Sequence, residues 1–221
     1  MSAELWTQVD NYIADKLVHE DAALAAALAA NAAAGLPAID VSAAQGKFLN
    51  LMVRITGARR VLELGTLGGY STIWMARALP ANGQLVTLEF DPHHAEVARA
   101  NVDRAGVGGK VTIHVGAAAA TLPVIAAAKP EPFDFIFIDA DKPNNPVYLD
   151  WAIKLSRPGT VIILDNVIRD GKVLEPGNPD PRIIGTRAAY DMIGAHPRLD
   201  ATALQTVGSK GWDGFSIMVV E

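Results

Sequence analysis

The chain has 221 residues, half of them hydrophobic, a formal net charge of -5 and no cysteine. That length buries the core of one domain, and the lack of a Lys/Arg block argues against nucleic acid or an anionic membrane as the main partner, since both need a basic footprint. The absence of cysteine excludes disulfides, thiolate catalysis and thiolate-held metal, so carboxylates, amides and five histidines are the ligands left.

Taken in order, Met1-Ser2-Ala3-Glu4 lacks the basic and then apolar profile of a secretory leader, and a cytoplasmic protein is expected. From Glu4 to Val18 the apolar residues Leu5, Val9, Tyr12, Ile13 and Leu17 recur at helical spacing. A second helix is expected over Asp21 to Ala34. It is alanine-rich, too short and too weakly apolar to span a bilayer, and is closed by Gly35-Leu36-Pro37. Ser42 suits the N-cap of a third helix that runs to Thr56. Strands at Val61–Leu64, Gln84–Glu89, Val111–Val115, Phe133–Ile138 and Thr160–Leu164 then alternate with helices at Tyr70–Leu79, Pro92–Ala105, Ala117–Ala128 and Asn144–Leu155. Gly171 to Pro181 reads as a loop and Arg182 to Ala195 as a helix. Ala201–Val207 and Phe215–Val220 read as a closing hairpin joined through Gly208 to Gly214. The pattern predicts an α/β fold: a Rossmann-like, doubly wound, mostly parallel sheet of seven strands with an antiparallel C-terminal hairpin. Residues 1–221 form a single domain in this reading, with 1–58 as N-terminal helices and 59–221 as a cofactor-binding core.

The turn Glu63-Leu64-Gly65-Thr66-Leu67-Gly68-Gly69-Tyr70-Ser71 joins a strand to a helix, where glycines admit a ligand to the backbone. Counting from Gly65, the second glycine of the dinucleotide fingerprint would fall at Leu67, so a nicotinamide-dependent oxidoreductase is disfavoured. A carboxylate at Glu63 repels a pyrophosphate and favours a sulfonium or ammonium. Glu89 ends the next strand, placed for ribose hydroxyls. An adenosine carrying positive charge and no phosphate meets these conditions, and S-adenosylmethionine is such a molecule. Further on, two apolar runs stop at Asp139-Ala140-Asp141-Lys142 and at Asp165-Asn166. Parallel strands end together, so these oxygens and one amine are expected at one rim. The bland alternatives are a tight turn at the glycines, helix-capping acids at Asp139 and Asp165, and a solvated Lys142.

The runs Val61-Leu62-Glu63-Leu64-Gly65-x-x-Gly68-Gly69-Tyr70-Ser71, Ile138-Asp139-Ala140-Asp141-Lys142 and Leu164-Asp165-Asn166-Val167 resemble the cation-dependent class I O-methyltransferases, the caffeoyl-CoA and catechol group. The likeness spans Val41 to Glu221. It implies Asp139, Asp165 and Asn166 as ligands of Mg2+, Mn2+ or Ca2+, with Lys142 as general base beside Asp139. It places Val41, Glu63, Gly65, Thr66, Gly69, Tyr70 and Ser71 around the methionine part of S-adenosylmethionine, together with Asp139. Glu89 falls at the ribose, Ala118 at the adenine through its backbone, and Asp141 near the amino group. It also implies a homodimer. Gly116-Ala117-Ala118-Ala119 departs from the pattern by offering adenine no polar side chain, and Ala140 departs where animal catechol enzymes are bulky.

Hard oxygen ligands suit such cations, and a vicinal diphenol can fill two of the remaining positions. A free phenol titrates near ~10 by analogy with tyrosine. The expected activity is therefore methyl transfer to a phenolic hydroxyl. A protein that binds the cofactor without turnover is the other alternative. Arg169 and Asp170 are placed to touch substrate, Trp212 to wall its pocket, and Gly171 to Pro181 to form a flap.

Overall fold

The computed structural model describes residues 3–128 and 130–221; Met1 and Ser2, part of the start read above, and Lys129 lie outside them. Three helices come first: α1 (Ala3–Ile13), α2 (Ala22–Ala33) and α3 (Ala43–Ile55). The first expected helix departs from α-geometry in its last turn, where Ala14–Val18 widens to a π-helix closed by His19 at φ 50°. Ser42 caps α3 as expected, its Oγ accepting from Gln45 N at 3.2 Å.

Strand and helix then alternate through β1 (Arg60–Leu64), α4 (Tyr70–Ala78), β2 (Gln84–Glu89), α5 (Pro92–Arg104) and β3 (Val111–Val115). They continue through α6 (Ala118–Ala127), β4 (Phe133–Ile138), α7 (Asn145–Lys154) and β5 (Ser156–Asp165). The chain ends with α8 (Pro181–Ala195), β6 (Leu199–Gly208) and β7 (Gly211–Val220). The sheet has seven strands in the order β3-β2-β1-β4-β5-β7-β6, with β1 to β5 parallel and β7 antiparallel to both its neighbours. This is the doubly wound sheet that the alternation predicts. Two details differ. The long link expected in the hairpin is only Ser209-Lys210, because pairing continues through Gly208↔Gly211. Glycine has little strand preference of its own, so tertiary pairing decides there. The expected loop from Gly171 to Pro181 also contains one 3-10 turn, Lys172–Leu174.

Alternation along the strands divides the core. Val61, Phe135, Phe137, Val161 and Ile163 face the side covered by α2 to α5 through Leu24, Leu49, Ile73 and Val102. Leu62, Leu64, Ile136, Ile138, Ile162 and Leu164 face α6, α7 and α8 through Leu122, Leu149 and Ile193. Burial on both faces is why these strands read as unbroken apolar runs. β1 is the reversal point of the winding, with β2 and β3 on one side and β4 and β5 on the other. The carboxyl ends of β1 and β4 therefore open the crevice of this architecture.

Candidate active site

The turn from β1 into α4 holds Gly65, Leu67 and Gly69 at φ 94°, 49° and 82°. A left-handed leucine is strained and persists only where its surroundings impose it. Glu89 does so: Oε2 accepts from Thr66 N at 3.0 Å and from Leu67 N at 2.8 Å, while Oε1 accepts from Asp91 N at 3.0 Å. The acid expected at the ribose thus also shapes the glycine turn. Gly116 N donates to Glu89 O at 2.8 Å, which brings Ala118, the first residue of α6, to the same rim. A buried amide chain seats the turn from the other side. Asn101 Nδ2 donates to Gly68 O (2.8 Å) and Asn31 Oδ1 (2.9 Å), and Asn31 Nδ2 donates to Asp40 Oδ1 (2.8 Å), next to Val41. Val41, Asp40, Ser42 and Tyr70 line a cavity of about 380 Å³.

Glu63 is fully buried at 0% exposure and accepts from Ser71 Oγ at 2.6 Å and Thr72 Oγ1 at 2.5 Å. Burial pushes its carboxyl up to about 7 against those hydroxyl donors, so a positive charge placed beside it favours the ionised form. Thr66 and Thr87 share a hydrogen bond at 2.6 Å next to it. Tyr70 is buried edge-on to Trp74, and its hydroxyl donates to Glu20. Its side chain ties the turn to the N-terminal helices.

At the neighbouring strand ends, Asp139 N donates to Leu64 O at 2.8 Å and Gly65 N to Leu88 O at 3.0 Å, which locks β1 to β4 and to β2 at the crevice. Lys142 is 7% exposed and its Nζ lies 2.7 Å from Asp139 Oδ1, so it is not the solvated lysine of the bland alternative. Asp165 is 5% exposed. Its Oδ1 accepts from Asn166 N at 2.8 Å and its Oδ2 from Gln45 Nε2 at 2.7 Å. Burial first, and then the charge of Asp139, push the Asp165 carboxyl up, with Lys142 and the two donors opposing. These partners, rather than helix caps, occupy both acids. Asn166 sits at φ 58°, and its side-chain amide forms no hydrogen bond among the described residues. Asp141 turns to its own helix, accepting from Tyr148 OH and from Asn144 Nδ2 at 2.6 Å.

The loop after Asn166 is held by the hairpin. Asp213 Oδ1 accepts from Ile168 N (2.9 Å) and Arg169 N (3.0 Å), Asp170 N donates to Trp212 O (3.2 Å), and Arg169 and Asp170 are both at φ 55°. Trp212 lies within 3.0 Å of where a Cβ on Gly171 would stand, and its Nε1 donates to Gln205 Oε1 at 3.0 Å. Gln45, Asn31, Asn101 and Asp213 were not singled out by sequence reasoning. Their partners lie far along the chain and no local spacing marks them.

A buried carboxylate, Asp165, and a half-buried one, Asp139, that repel each other, beside an uncommitted amide, form a hard-oxygen donor set that a divalent cation would compensate. Among the described residues no three His, Cys, Asp or Glu side chains gather, and the oxygens at this rim come from Asp139, Asp165 and Asn166. The residues present fit the cation. The larger concavity, about 450 Å³, lies at the other end of the sheet between Arg59, Arg60, Asp134 and Arg157. Asp134, one of its two acids with Glu131, accepts from Arg59 N, Arg60 N and Arg157, and no strand carboxyl end opens into it.

Residues 15–213 match the model of the O-methyltransferase family. The chain is 53% identical over 221 residues to the catechol O-methyltransferase of Niastella koreensis, covering 100% of both chains. It is 56% identical over 212 residues to the catechol O-methyltransferase of Mycobacterium tuberculosis, covering 96% of this chain and 94% of that one. An O-methyltransferase from Bacillus cereus, solved in complex with SAH, superposes with a TM-score of 0.98 at 57% identity over 100% of each chain.

Proposed function

Because the chain belongs to the O-methyltransferase family, we propose that it moves the methyl group of S-adenosylmethionine to one hydroxyl of a catechol-like diphenol, with a divalent cation in the site. The observation that carries this reading is the gathering of Asp139, Lys142, Asp165 and Asn166 at the adjoining ends of β4 and β5, beside the Gly65 turn. Val41, Gly65, Thr66, Gly69, Tyr70 and Ser71 surround the methionine end of the cofactor, several of them through backbone, and Glu63 supplies negative charge below it. Glu89 keeps one acceptor site on Oε1 for a ribose hydroxyl, with His94 Nδ1 3.4 Å from that oxygen, and the N-H of Ala118 at the start of α6 faces the base. Asp139, Asp165 and Asn166 would hold Mg2+, Mn2+ or Ca2+, which when bound supplies Lewis acidity that favours an ionised phenol.

The phenolic oxygen attacks the sulfonium methyl carbon as the carbon–sulfur bond breaks, leaving a methyl ether and the neutral thioether SAH. The phenolic proton passes to Lys142 Nζ in its amine form. Orienting the two reactants is worth ~7 to 11 kcal/mol in favourable cases, which is the work of the rigid turns around β1 and β4. Lys142→Met should lower kcat roughly 10²- to 10⁴-fold with little change in SAH affinity. Part of the loss should return as pH rises and the acceptor ionises unaided; a flat pH profile for the variant would remove Lys142 as proton acceptor.

The test of the whole reading is methylation of caffeate, caffeoyl-CoA, simple catechols and flavonoid diols with Mg2+ or with EDTA. Turnover that survives excess EDTA sinks the cation. No turnover on any diol sinks the acceptor class. A homodimer belongs to the same reading, supported by exposed Val9, Tyr12 and Leu17 on the N-terminal helices, and a monomeric mass by light scattering would refute it. No helix among the described residues is long and apolar enough to cross a membrane, and a cytoplasmic location is proposed.

A further inference from the structure

α3 precedes the first strand and belongs to none of the alternating units, yet it sends one side chain into the crevice. Gln45 Nε2 donates to Asp165 Oδ2 at 2.7 Å across 120 residues of sequence. The other oxygen, Oδ1, accepts from Asn166 N at 2.8 Å. A carboxylate with a single donor can still turn about its Cβ–Cγ bond. With one donor on each oxygen, drawn from two different elements, its plane is fixed.

Gln45 is itself held with little freedom. Its backbone N–H is capped by Ser42 Oγ at 3.2 Å. The next residue, Gly46, lies so close to the indole of Trp74 on α4 that a methyl group there would overlap the ring. One turn further, Asn50 Nδ2 donates to Trp74 O at 2.8 Å. α4 is the helix that follows the glycine turn and carries Ser71 and Thr72, the donors to Glu63. Gln45 is therefore referenced to the same helix as the turn, while its amide reaches the end of β5.

We infer that Gln45 is a positioning residue: it sets the plane of the Asp165 carboxylate toward the cation and makes the N-terminal helices part of the cation site. The inference rests on the proposed role of Asp165 as a ligand. Groups that orient ligands in this way change metal affinity by about 10- to 100-fold when removed. A merely structural hydrogen bond would change stability and leave that affinity alone.

Gln45→Met keeps the length of the side chain and removes the donor. Mn2+ binding to the protein without acceptor, followed by electron paramagnetic resonance, and SAH binding, followed by calorimetry, are measured for the parent, Gln45→Met and Asp165→Ala. The expected result is Mn2+ affinity about 10- to 100-fold weaker in Gln45→Met, abolished in Asp165→Ala, and SAH affinity within about two-fold of the parent in both. The Mg2+ concentration for half-maximal methylation should rise in parallel, with kcat at saturating Mg2+ changed far less. Parent-like Mn2+ affinity in Gln45→Met, with binding lost in Asp165→Ala, overturns the role of Gln45 and leaves the cation site standing. Parent-like affinity in both variants overturns the cation site and the inference together. Equal losses of Mn2+ and SAH affinity in Gln45→Met mean that the residue acts through the fold, and also overturn it.

Discussion

Asp165→Asn is expected to lose at least about 100-fold of cation-stimulated methylation while binding SAH as the parent does, since a ligand that stabilises developing charge supplies several kcal/mol of the barrier. The substitution keeps the shape of the side chain: Oδ1 still accepts from Asn166 N, and the new amide donates to Gln45 once that side-chain amide turns to present Oε1. The same change should leave the cation-free protein at least as stable at pH 8. Burial and the charge of Asp139 raise the Asp165 carboxyl above its ordinary value. A raised acid is more costly to ionise in the folded than in the unfolded chain, so its penalty grows as pH climbs through the carboxylate range toward the folded value and is full above it. The asparagine carries no such penalty. Thermal melts read both halves: Mg2+ should raise the Tm of the parent and leave that of the variant in place. A variant that melts lower at pH 8 without Mg2+, or that still responds to Mg2+, contradicts the account. A site that is less stable for being functional is the ordinary trade in enzymes.

What could be read from sequence follows from how far each signal reaches along the chain. Phe133 to Ile138 and Val161 to Leu164 announce themselves because strands buried on both faces are apolar throughout, and the acids that end them stand out by contrast. The same property hides which side each residue faces: Val61 and Leu62 look alike in sequence and enter different halves of the core. The glycine turn is legible as a turn, and its spacing argues against a dinucleotide; the family match then sets the oxidoreductase alternative aside. Its supports are not legible. Nothing near Asn101 predicts Asn31 and Gly68 as partners, and nothing near Asp213 predicts the amides of Ile168 and Arg169. Tyr70 has a partner that motif position does not announce, since its hydroxyl donates to Glu20, fifty residues earlier in the chain. Polar residues on helices acquire their roles through packing, and packing leaves no periodic trace.

Gly65→Ala is the substitution expected to fail most broadly, because one atom is added where two strands and two functions meet. Gly65 is at φ 94°, a conformation that L side chains rarely adopt, and an added Cβ would be driven into the carbonyl oxygen of Asp139. Neither side can give way. Gly65 N is bonded to Leu88 O at 3.0 Å and Asp139 N to Leu64 O at 2.8 Å, so moving either residue breaks the ladder at the crevice. Backbone strain and overpacking each cost about 1 to 3 kcal/mol, and both apply. Chemical denaturation should therefore show a loss of several kcal/mol. The loss of function should be wider than in Asp165→Asn. Displacing Gly65 moves the amides around the methionine end, and displacing Asp139 moves the partner of Lys142 and the neighbour of Asp165. SAH affinity and Mg2+ response should fall together in this variant, whereas Asp165→Asn separates them. Gly65→Ala that binds SAH normally and loses only its Mg2+ response would show that the strand ends move independently, and that the cofactor turn and the cation ligands are not one rigid unit.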